Sequence, residues 1–140
     1  MDKSKPIPRR TKKTIYKFAP PLLFFLFLCW IIYLADSGSD SIFFKITHNI
    51  PSGDKLGHFI LYGFLTLLLN HALGYGSLKL LRFHIQKGAL LVLLFALLEE
   101  FSQFFFPNRT PSLIDILADL IGIIIFTRTA LWWNRRKDSG

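Results

Sequence analysis

Residues 18–35 read FAPPLLFFLFLCWIIYLA, without one charged residue. No other feature restricts the fold as much. At 1.5 Å of helical rise per residue the stretch spans roughly 27 Å, close to the ~30 Å of a bilayer's hydrocarbon core. Three further apolar runs follow, at about residues 56–73, 88–106 and 113–133. Pro107 and Asn108 part the last two as a turn pair. Pro20 and Pro21 fall in the first turn of the first run, where a missing N–H does no harm. Trp132 and Trp133 suit an interfacial aromatic belt. A cleaved signal peptide is the rival reading of the first run. Its length, and Tyr33 and Ala35 as a poor cleavage site, favour a retained span. The sequence thus predicts an all-α integral membrane protein, a bundle of four transmembrane helices. Residues 1–17 form a basic tail, 18–133 the membrane domain and 134–140 a second tail.

Composition alone separates little, because 51% apolar residues is also ordinary for a soluble domain. The distribution decides, with apolar residues in runs and charges between them. Cys29 is the single cysteine, which rules out an intramolecular disulfide and a cysteine-based metal cluster. The net charge of +8 raises nucleic acid as a partner. Yet 7 of the 17 basic residues precede residue 18, as expected of a cytoplasmic flank. No nucleic-acid partner is predicted. Lys and Arg count 7, 2, 3, 1 and 4 in the successive segments outside the runs, Arg128 being taken with the last. By the positive-inside rule both termini and the middle loop are cytoplasmic. The loop of residues 36–55 and the turn of residues 107–112 then face outward, and residues 42–46 suit the bilayer surface.

The later runs contain polar residues that hydrocarbon should exclude. Asp54, His58, Tyr62, Thr66 and Asn70 recur every four residues, which places them on one helix face. Glu100 and Gln103 share a face of the third helix, from which Glu99 is rotated by about 100°. Asp115, Asp119 and Gly122 share a face of the fourth. Glu100 and Asp119 each lie about 9 Å below the outer boundary, six residues from a helix end at 1.5 Å per residue. Three helices therefore bring polar faces to the outer half of the membrane, with the first helix peripheral. Lys55 and Arg109 are the cations that offset the carboxylates. Each residue also has a plain structural account. Asp54 caps helix two, Ser112 and Asp115 form a capping box on helix four, and His58 is an interior histidine. Glu100 and Asp119 together fit that account poorly, because buried carboxylates carry a desolvation penalty that amide or hydroxyl contacts avoid.

The segments DKLGHFILY (residues 54–62) and EEFSQFFFPNRTPSLIDILADLIG (residues 99–122) resemble the VanZ-like family of small bacterial integral membrane proteins. The resemblance rests on Asp54, Lys55, His58, Tyr62, Glu100, Gln103, Arg109, Asp115 and Gly122, over about residues 50–125. Asp119 departs from it, since the family usually carries Asn there. The resemblance implies a multi-pass protein of the bacterial cytoplasmic (inner) membrane, with a link to the cell envelope and to glycopeptide resistance. It implies no reaction.

The site admits three readings. The first is a binding site for a membrane lipid, a lipid-linked envelope precursor or a glycopeptide. Arg109 and Lys55 would hold an anionic group, and Gln103, Tyr62, His58, Asp54, Asp115 and Asp119 would complete the site. The second is an intramembrane hydrolase or transferase, with Glu100 as acid or base, His58 as its partner and Arg109 as anion stabiliser. The third is a small transporter or proton relay. A metal bound by His58, Glu100, Asp115 and Asp119 lacks any supporting spacing motif, so no metal or cofactor is predicted. The chain has no Gly-x-Ser-x-Gly elbow, His-Glu-x-x-His or P-loop.

Overall fold

The computed structural model describes residues 9–38 and 52–139. The surface stretch expected at residues 42–46 lies outside the described residues. Four helices carry the fold: α1 (Arg9–Asp36), α2 (Gly53–Ala72), α3 (Lys87–Ser102) and α4 (Leu113–Asp138). A 3₁₀ turn, Gln103–Phe105, extends α3. Each apolar run of the sequence therefore has its helix. By length and composition two segments among the described residues can cross a membrane, Ile15–Asp36 and Lys87–Phe105.

Two local expectations change. Because α1 starts at Arg9, Pro20 and Pro21 lie inside it rather than in its first turn. They deprive the carbonyls of Tyr16 and Lys17 of helical partners. Both residues are exposed beside the basic end of the helix, so the cost there is small. The chain is also not wholly helical. Strands β1 (Ser77–Leu80) and β2 (Phe83–Gln86) form an antiparallel hairpin between α2 and α3.

Contacts along the helices fix their directions. Lys55 meets Asp115, His58 meets Asp119, and the Phe59 ring packs edge-on against Phe126. Rising numbers pair with rising numbers, so α2 and α4 run parallel. Tyr62 meets Glu99 while Asn70 lies against Gly88, so α3 runs the other way. The Phe24–Phe64 and Phe25–Phe95 ring pairs, at 5.0 and 4.9 Å, hold α1 on α2 and α3.

Glycine permits the closest of these approaches. A Cβ on Gly122 would overlap the backbone carbonyl of Phe59, and one on Gly63 would lie 2.5 Å from the Phe126 ring. Small residues at a helix crossing let backbones approach where no hydrophobic drive is available to hold them.

The distribution of polarity is inverted relative to a water-soluble fold. Thr66, Asn70, Glu99, Glu100, Gln103, Asp115 and Asp119 are buried, while Leu23, Trp30, Leu94, Leu98 and Ile124 are among many exposed apolar side chains. A water-soluble monomer rarely exposes so much contiguous apolar surface. The apolar core of Leu28, Tyr62, Leu65, Val92, Ala96 and Ile123 occupies the middle of the bundle. A cavity of about 300 Å³ lies between α1, α2 and α3, lined by residues such as Phe18, Leu22, Leu69 and Leu91. By register it opens toward the hairpin end, away from the polar cluster.

Candidate functional site

The polar cluster is built around the last turn of α3. Viewed down that helix at 100° per residue, Glu99 and Glu100 are about 100° apart, and Gln103 projects between them. Its Nε2 donates to Glu99 Oε1 and to Glu100 Oε2, each at 3.0 Å. Glu99 is therefore a member of the site and not, as the sequence reading had it, rotated out of it. Arg109 Nη2 donates to Glu99 Oε1 at 3.1 Å, and the Tyr62 hydroxyl reaches Glu99 Oε2 at 3.4 Å. The i, i+4 relation of Glu99 to Gln103 is the signal that identifies it.

Glu100 is held from the other side. Its Oε1 accepts the backbone N–H of Ser112, the residue that precedes α4. The Ser112 side chain makes no cap hydrogen bond, so the capping box expected with Asp115 does not form. Its backbone amide is instead used to tie α4 to α3, which frees Asp115 for Lys55, 3.4 Å away. Lys55 also pairs with Asp54 at 2.5 Å on the exposed rim.

Arg109, expected to offset the carboxylates, pairs with Glu99, and at 3.8 Å with Asp36 at the end of α1. The Asn108 side chain donates to the Asp36 carbonyl at 3.3 Å. The first helix is thus not peripheral, because its terminus closes one side of the site. Asp36 was the second residue missed. It is the first charge after the opening apolar run, on the side where alternating topology also puts Arg109.

Asp119 is fully buried. Its Oδ1 lies 3.0 Å from His58 Nδ1, and its Oδ2 has no hydrogen-bond partner. His58 stacks on Tyr62, the ring planes 7° apart. Burial increases down α2, with Asp54 exposed, His58 intermediate and Tyr62, Thr66 and Asn70 buried. A four-residue spacing advances 400°, so the row drifts about 40° per step and does not stay on one face. Thr66 hydrogen-bonds back to the Tyr62 carbonyl at 2.8 Å, and Asn70 reaches Thr127 on α4 at 3.3 Å.

The structure thus brings together all the predicted site residues and adds Glu99 and Asp36. The assembled charge is acidic. Asp36, Asp54, Glu99, Glu100, Asp115 and Asp119 face Lys55, His58 and Arg109, each of which is already paired with a carboxylate. No group of three metal-ligating side chains occurs among the described residues.

The VanZ/LLP1 family profile matches residues 13–134, nearly the whole chain. The chain belongs to the VanZ/LLP1 family. The match extends over α1, beyond the core of about residues 50–125 that carries the sequence motifs. No curated protein and no solved structure matches the chain significantly. Membership of the VanZ/LLP1 family and the two apolar helices together point to a membrane protein.

Proposed function

We propose that this VanZ/LLP1 protein spans the bacterial cytoplasmic membrane four times, with both termini inside, and binds the headgroup of a lipid-linked or glycopeptide-type envelope ligand in its outward-facing polar site. Up-down helix directions and the alternating basic counts support the topology. One observation carries the binding reading. The cations of the site are consumed by its own carboxylates, whereas the buried Asp119 Oδ2 has no donor. A buried acceptor left unpaired costs about 1–3 kcal/mol, which a ligand N–H or O–H would recover. The ligand is therefore one rich in donors, through sugar hydroxyls or peptide amines. Anion recognition by Arg109 and Lys55, the first expectation from sequence, would call on cations whose charge is already offset by carboxylate partners.

The test is mass spectrometry of lipids co-purified with wild type and with Asp119→Leu, both checked for folding. A sugar- or peptide-bearing lipid retained by wild type and lost from the variant is the expected result. Equal retention, or retention of anionic phospholipid alone, overturns the reading.

A specific observation also favours a second reading, an intramembrane hydrolase acting on such a lipid. His58 Nδ1 is engaged by Asp119, which leaves Nε2 to take a proton from water, the arrangement by which a carboxylate orients a histidine base. Glu100, the acid or base of the sequence reading, has a donor on each oxygen and would take a positioning role here. Under this reading His58→Gln binds the lipid but accumulates it uncleaved.

A further inference from the structure

The hairpin between α2 and α3 has two chemically opposite faces. Cross-strand partners Leu78–Ile85 and Leu80–Phe83 lie on one face, and Ser77–Gln86 and Lys79–His84 lie on the other. The apolar face is not covered by the bundle. Leu78, Leu80 and Phe83 are exposed, and Leu81 at the tip is 87% exposed. The polar face carries Lys79 and His84, with Arg82 at the tip and Lys87 at the base.

Two features are costly if this hairpin stands in water. A two-stranded hairpin with an exposed apolar face is marginal by itself. Its turn also presents Leu81, 87% exposed, where two-residue turns normally carry Gly, Asn or Asp. A bulky leucine side chain at such a tip is explained if the tip is immersed in something apolar. The base is fixed, since the Lys87 N–H donates to the Gly76 carbonyl at 2.9 Å and Gly88 packs against Asn70. The hairpin is therefore held at the ends of α2 and α3, and Lys87–Phe105, which begins at its base, is one of the two segments long and apolar enough to cross a membrane.

We infer that residues 77–86 form an amphipathic hairpin that inserts its Leu78–Leu80–Leu81–Phe83 face into the lipid surface and holds anionic headgroups with its basic face. An anionic bilayer is the occupant that matches both faces at once. A second protein copy would have to cover leucines without offering charge to Lys79 and Arg82. Interfacial elements bind by this combination of apolar burial and attraction of Lys and Arg to anionic lipid. Immersion does not depend on which side of the membrane the hairpin occupies. The assignment to the anionic cytoplasmic leaflet rests on the topology proposed above.

The experiment uses the full chain in a Cys29→Ala background. Single substitutions Leu78→Cys, Leu81→Cys, Phe83→Cys, Lys79→Cys and His84→Cys are spin-labelled. The protein is reconstituted in vesicles of phosphatidylcholine alone or with phosphatidylglycerol. Labels at 78, 81 and 83 are expected to be accessible to oxygen and shielded from a water-soluble nickel complex, with the reverse at 79 and 84. Adding phosphatidylglycerol should deepen the immersion. Lys79→Gln with Arg82→Gln should reverse that gain by roughly 25-fold in the immersed-to-aqueous ratio, about five-fold per basic residue. Equal nickel access on the two faces overturns the insertion. Immersion that ignores phosphatidylglycerol overturns the headgroup role, and dipolar broadening between labels of two copies assigns the face to an oligomer instead. A wrong topology is read separately, from the side on which an impermeant reductant reaches the label at 79, and leaves the immersion result standing.

Discussion

Replacing Arg109 by Met keeps much of its length and removes its charge. The guanidinium makes its main contact with Glu99, at 3.1 Å, and that carboxylate has only 3% of its side chain exposed. Breaking a buried pair from one side costs about 3–5 kcal/mol when the other charge is stranded. Two features moderate that figure. Gln103 Nε2 and the Tyr62 hydroxyl still donate to Glu99. The stranded carboxylate can also take up a proton, which for a glutamate of ordinary acidity at pH 7 costs about 2.7 × 1.36, or about 3.7 kcal/mol. Proton uptake is therefore the ceiling, and we expect a loss of about 2–4 kcal/mol. The more distant Asp36 contact, at 3.8 Å, adds little. Reversible unfolding in mild detergent, followed by tryptophan fluorescence, measures the loss. The decisive comparison is Arg109→Met with Arg109→Met/Glu99→Gln. Removing the stranded charge should return most of the lost stability. A double variant no more stable than Arg109→Met would show that Glu99 is not what Arg109 compensates, and the reasoning would fail.

Other predictions follow from particular contacts. Gly122→Ala places a methyl group on the Phe59 carbonyl, so the α2–α4 crossing must open, at about 1–3 kcal/mol in the same unfolding assay. Asp119→Asn keeps an oxygen for His58 and should fold nearly as wild type, whereas Asp119→Leu should lose the His58 contact, visible as a changed imidazole NMR shift. Reporter fusions after residues 80 and 140 should both report the cytoplasm, and after residue 110 the outside. A periplasmic reading at 140 would reverse the proposed orientation of the site.

Much of this molecule was legible because its constraints are one-dimensional. An apolar run long enough to cross hydrocarbon specifies a helix whatever surrounds it, and α1 to α4 follow the runs. Glu100 and Asp119, placed at equal depth by the sequence, are both buried in one cluster, where different groups hold them. The hairpin was missed for a local reason. SLKLLRFHIQ alternates with a period of two, yet its turn is Leu81–Arg82, without the Asn-Gly or Asp-Gly that normally announces a hairpin.

The partners of the charges were harder to read, and the reason is geometric. Helical arithmetic sorts residues by face within one helix, but an ion pair is decided between helices. Arg109 has Glu99, Glu100, Asp115 and Asp119 within ten residues in either direction, and sequence distance ranks none of them. What selects Glu99 is that Ser112 offers its backbone N–H to Glu100 as α4 begins, and that His58 takes Asp119. With two carboxylates already served by neutral or imidazole donors, the guanidinium goes to the one that remains deepest beside it. The same allocation leaves Asp119 Oδ2 without a donor. The unpaired oxygen is thus a consequence of how the site distributes a small number of donors over six carboxylates. A ligand that supplies a donor at Asp119 adds to that distribution without displacing any existing pair, and Asp36 Oδ1 and Asp115 Oδ1 are likewise buried without a hydrogen-bond donor.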